Sequence, residues 1–183
     1  MNGHHLILGE RVDFLTGTVL NDTHDERYRQ ALARLLVEQK GYLKSDITPR
    51  IPLTLEAGEN RARITIDFKV TLKEKDAMVI RYGPGSLVTR RRPALAASRL
   101  LAPYQIPVVV VTNGQDAEIL SGKSGEVTAQ GLDSIPDREA LIQWIAGHDF
   151  EPISFHRTRM EQRILYVYEV DGSCPCDDTI CRL

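Results

Sequence analysis

A chain of 183 residues, 42% hydrophobic and 26% charged with a formal charge of −2, is long enough for one domain with a real core and short for two. That balance excludes a domain that grips nucleic acid through overall charge, so any such surface must be a local patch. The longest apolar run, from Ile106 to Val111, is far short of a membrane span. The N-terminal "MNGHHLILGE" lacks the basic start and long apolar stretch of a signal peptide, so the expectation is a cytoplasmic protein with no membrane partner.

Residues 1–22 read as an extended arm with a turn at Thr16-Gly17. "THDERYRQALARLLVEQKG" predicts a helix. Thr23 and Glu26 have capping-box spacing, Tyr28, Leu32, Leu35, Leu36 and Gln39 share one face, and Gly41 ends it. "ITPRIPLTLEAGEN" predicts a strand that Pro49 and Pro52 confine to an edge or an irregular start. Ala62 to Leu72 then alternate apolar and polar, as a strand with one buried face does. After a polar turn, Ala77 to Tyr82 return as a second strand.

"GPGS" is a tight turn, too short for a phosphate-binding loop. The helix beyond it opens with Arg90, Arg91 and Arg92 and has Pro93 in its first turn. Cations there oppose the helix dipole, so the run is either a solvated face or a contact for phosphate or an acidic partner. "IPVVVVTNG" predicts a strand buried on both faces, with Asn113-Gly114 turning it back into Ala117–Leu120. A glycine-rich loop follows. Two helices close the chain, from about Asp137 to Ala146 and about His156 to Glu169, the second with Met160, Ile164, Val167 and Tyr168 inward.

All three cysteines, Cys174, Cys176 and Cys181, lie in the tail, which rules out a disulfide framework. They are either zinc ligands, with His156 as a fourth, or simply part of the tail. The divisions expected are an arm at 1–22, a core at 23–121, a helical extension at 122–170 and the tail at 171–183.

The order helix, three-strand meander, helix, parallel strand resembles the restriction-endonuclease-like superfamily, an α/β class with a mixed sheet flanked by helices. "DERYRQALARLLVEQKGYLKSDI", "ITIDFKV", "MVIRY" and "IPVVVVTNG" look like the N-terminal nuclease domain of type I restriction enzyme R subunits. In that family the first helix opens Glu-Arg-x-Arg-Gln, the second strand carries an Asp, the third ends near Glu-x-Lys, and Thr-Asn-Gly follows the last central strand. R subunits are much longer and carry a helicase motor, absent from this sequence.

The resemblance implies that Asp67 is the acid that holds a divalent cation, usually Mg²⁺, with Glu26 in support. It also exposes a departure: Arg81 stands where the Glu should be, Gly83 where the Lys should be, and Ala96 and Leu100 near the places of a Gln and a Tyr. Lys69, two residues past Asp67 and on the same strand face, is the candidate replacement for the Lys. Set beside these roles, Glu26 at the third helical position is explained by capping alone, and Asp67 by solvation or a cross-strand pair with Arg81.

Three functions follow as expectations. One is a stand-alone domain with a degenerate site that binds DNA or a protein partner without cutting. Another is an active Mg²⁺-dependent endonuclease using Asp67, Glu26 and Lys69. The last is a zinc-linked interaction or regulatory protein.

Overall fold

The computed structural model describes residues 6–171 and 180–183. The arm forms a small antiparallel ribbon, β1 (Glu10–Val12) with β2 (Val19–Asn21). It leads into α1 (His24–Arg34), where the Thr23 side chain caps the Glu26 amide and a wider turn at Leu35–Gln39 ends the helix. Next come β3 (Ile47–Ala57), β4 (Asn60–Leu72) and β5 (Lys75–Tyr82), all antiparallel neighbours. Helix α2 (Val88–Ser98) crosses over to β6 (Val108–Thr112), which pairs parallel to β5 with Ile80 opposite Val110. β7 (Ala117–Ser121) and β8 (Val127–Gln130) extend the sheet antiparallel. Helices α3 (Arg138–Ala146) and α4 (Phe155–Tyr166) follow, and a two-residue strand, β9 (Cys181–Arg182), pairs with β4.

The spatial order is β3-β4-β5-β6-β7-β8. The proline-bearing β3 is therefore an edge, where a missing N–H faces outward rather than into the ladder. Two apolar clusters sandwich the sheet. One joins Leu32, Ala33 and Leu36 of α1 and Leu141 and Ile145 of α3 to Met78, Ile80 and Val110. The other joins Ala94–Ala97 of α2 and Leu165 of the α4 helix to Val79, Val109 and Val111. The valine run of β6 is covered on both sides, so an unbroken apolar stretch is what the site demands.

Two expectations need correction. The loop after β7 contains a real strand, β8, whose four residues are too few and too mixed to announce themselves. The inner face of α4 and of the wider turn Val167–Asp171 that continues it is also different: Glu161, Leu165, Tyr166 and Val170 are buried, while Met160, Val167 and Tyr168 are about half exposed at 48%, 58% and 51%. The apolar spacing points outward because the helix is seated on a buried carboxylate. Among the described residues no helix is long and apolar enough to cross a membrane.

Candidate functional site

The long strand β4 changes allegiance at Asp67. Ala62, Ile64 and Ile66 belong to the cluster under α2 and α4, whereas Phe68, Val70 and Leu72 belong to the one under α1 and α3. Across the ribbon, Arg50 lies between the regular pairs Pro49–Phe68 and Ile51–Ile66, and its φ of 51° takes it out of extended geometry. A coiled two-stranded ribbon with one irregular residue turns its face in this way. The result is a carboxylate that is only 6% exposed although it sits on a strand.

Each Asp67 oxygen is met by N–H donors. Oδ1 accepts from Arg29 Nε of α1 at 2.7 Å, and Oδ2 from the Tyr82 amide at 3.0 Å. Arg81 Nε stands 3.4 Å from Oδ2, and Arg81 Nη2 donates to Glu169, just beyond α4, at 3.0 Å. Glu26 turns its side chain inward rather than closing the capping box. Its Oε1 accepts from Arg50 at 2.5 Å and from Gln30 at 2.8 Å, and Arg29 lies 3.9 Å from Oε2. Arg50 and Gln30 also hold Asp13 of the arm, at 2.7 and 2.8 Å. The charges thus alternate through Asp13, Arg50, Glu26, Arg29, Asp67, Arg81 and Glu169.

Two members of this alternation, Asp13 and Arg29, have displaced pKa values. Burial alone would raise the pKa of Asp13, but the Thr16 amide, Arg50, Gln30 and the Thr16 hydroxyl together hold it at about 2. Burial works against the charge of Arg29, yet the carboxylates of Asp67, Glu26 and Asp25 keep its pKa above the usual value. The Tyr82 phenol, buried and donating to Asp25 at 3.1 Å, is pushed up.

The other expected residues lie apart. Lys69 binds Asp76 at 3.0 Å, and Asp76 also accepts from Thr71; it is not a partner of Asp67. Arg91 grips Glu118 through two N–H bonds and Arg92 donates to Glu161 at 2.6 Å. Arg90 has no ion-pair partner among the described residues and packs over Gly83, where a Cβ would lie 2.9 Å from its Nε. The run of three, each side chain part-buried, therefore splits into two held by carboxylates and one, Arg90, laid over Gly83. Cys174 and Cys176 lie outside the described residues; Cys181 is exposed on β9, and His156 is exposed at the start of α4.

A divalent cation asks for several free oxygen ligands. The oxygens of Asp67 and Glu26 are met by guanidinium and amide donors, and Arg81 puts fixed positive charge beside Asp67, so the residues as placed do not fit one. Among the described residues no group of three His, Cys, Asp or Glu side chains is arranged to hold a metal. Arg29, Arg50, Asp13, Gln30 and Glu169 are the partners that sequence reasoning missed. Arg29 and Gln30 stand inside the Glu-Arg-x-Arg-Gln motif, while Glu169 carries no local signal at all.

A family model described as "Type I restriction enzyme R protein N terminus" matches residues 24–136, well over half of the chain. Comparison with curated proteins and with solved structures finds no match.

Proposed function

The chain belongs to the type I restriction enzyme R protein N-terminal family, and from that premise we propose that it is a nuclease fold which binds nucleic acid without cutting it. The observation that supports the reading is the position of Arg81, between Asp67 at 3.4 Å and Glu169 at 3.0 Å. A guanidinium between two carboxylates supplies the positive charge that a metal would otherwise bring. It offers no Lewis-acid site and no bound water. Lys69, engaged by Asp76, does not stand ready to steady a nucleophile at Asp67.

A second reading, a Mg²⁺-dependent endonuclease, draws on the retention of both acids, Asp67 and Glu26, in one network through Arg29. It requires Arg29 and Arg81 to withdraw and Lys69 to leave Asp76. A nuclease assay on plasmid and single-stranded DNA with Mg²⁺ or Mn²⁺, run beside Asp67→Ala, separates the two. The expected outcome is no cleavage by either protein; cleavage that vanishes in Asp67→Ala establishes the second reading and overturns the first.

A further inference from the structure

Beyond the matched residues, α4 packs against α2 and the two build a second polar cluster. Its centre is Glu161, which has no solvent exposure. The Glu161 carboxylate accepts from Arg92 Nη2 at 2.6 Å, Arg99 Nη1 at 2.7 Å and Arg157 Nε at 2.6 Å. One carboxylate against three guanidiniums leaves positive charge in excess. Arg99 also feels it: burial first, and then Arg157 and Arg92, press its pKa below the usual value despite Glu161. Arg92 Nη1 is buried with no hydrogen-bond partner among the described residues, so Glu161 answers only part of this guanidinium.

The excess continues outward along α4. Arg159 and Arg163 are exposed and have no carboxylate partner among the described residues. Glu161 is the only acid in α4, and α2 has none. Phe155 at 77% and Tyr168 at 51% exposure leave aromatic surface at the two ends of this stretch. In a chain whose formal charge is −2, this is a local concentration of cations opposed to the average. Arg159 and Arg163, one turn apart, share one flank of α4 and Arg157 lies on the other beside Glu161, so the charges border the exposed side over roughly 9 Å of helix axis, more than a single phosphate spans.

We propose that the α2–α4 face is a contact surface for the phosphate backbone of a nucleic acid, with Arg92 and Arg157 oriented by Glu161 on one flank of α4 and Arg159 and Arg163 on the other. The proposal rests on the reading that the protein binds nucleic acid and names where it does so. Guanidiniums held in place by a buried carboxylate lose little freedom when they bind a phosphate, and their fork matches its oxygens. Because such contacts fix position and read no bases, affinity should depend steeply on salt and little on sequence.

The test uses fluorescence anisotropy of a labelled DNA duplex with the full chain, titrated between about 50 and 200 mM salt. Arg159→Gln/Arg163→Gln is the first variant, since neither side chain has an ion-pair partner among the described residues; Arg157→Gln is the second, and circular dichroism confirms that both remain folded. We expect the double variant to bind about tenfold more weakly and to lower the log–log salt slope by about two, with a loss of about one for Arg157→Gln. Wild-type binding that both variants retain overturns this surface and leaves the nucleic-acid reading standing. No duplex binding by the wild type overturns both. Binding of poly-glutamate as tightly as DNA assigns the face to an acidic protein partner and overturns the proposal.

Discussion

The side chain of Arg81 is only 12% exposed and has carboxylates on two sides, so its removal leaves Glu169 without a counter-charge among the described residues and Asp67 with Arg29 alone. Arg81→Gln should destabilise the fold by about 3 kcal/mol, in the range for breaking one side of a buried pair. Equilibrium urea unfolding measures it, and adding Asp67→Asn should recover part of the loss through a non-additive cycle. Asp67 and Arg81 were legible because strand alternation fixes which neighbours share a face. Lys69 follows the same parity, yet Asp76 at the hairpin end claims it, and alternation alone cannot rank two carboxylates at different heights along a strand. Arg50 escaped notice because its left-handed backbone, φ 51°, breaks the rule by which its direction would be read. Glu26 looked like a cap for the same reason of locality: its real partner, Arg50, is 24 residues away.

Elements explain why two short motifs travel together. Tyr28 of α1 stacks on Tyr82 at 5.7 Å between centroids, and its ring crosses directly over Gly114 in the turn after β6. Gly114 has φ +87°, and an added Cβ would lie 2.3 Å from Tyr28 Cδ1. The helix opening and Thr-Asn-Gly are two sides of one contact. Gly114→Ala should therefore cost about 2 kcal/mol or more, from the disfavoured backbone and the displaced ring together, read from the shift in denaturation midpoint. The parallel placement of β6 beside β5 followed from chain order and the valine run. The seating of α4 did not, because a face centred on Glu161 offers no apolar signal at its middle. Leu165→Ala should cost about 2–5 kcal/mol, as for a fully buried leucine, and Met160→Ala within about 0.5; equal effects in thermal unfolding would mean the helix is rotated from its described position.

At the scale of the whole molecule the carboxylates decide the acid limit. Asp13 is held at about 2, and Asp22 likewise at about 2, first by its bond from Arg27 and then by Arg11. Glu118, through Arg91, and Glu161, whose arginine bonds outweigh burial, also lie below the usual value. Each is depressed on folding, so each contributes stability that is present above the unfolded value, near 3.8 for Asp, and is lost as pH falls through the folded one. The melting temperature should hold from neutral pH to about 4.5 and then fall steadily toward pH 2, followed by circular dichroism. The arm, the first helix, the central hairpin and the segment after α4 all enter one alternating ion chain, from Asp13 to Glu169. That chain has a kinetic meaning. Its last link joins β5 to a segment 88 residues further along, a long-range closure expected to come late in folding. Glu169→Gln should then speed unfolding and leave the refolding rate nearly unchanged, visible as movement of only one arm of a stopped-flow chevron.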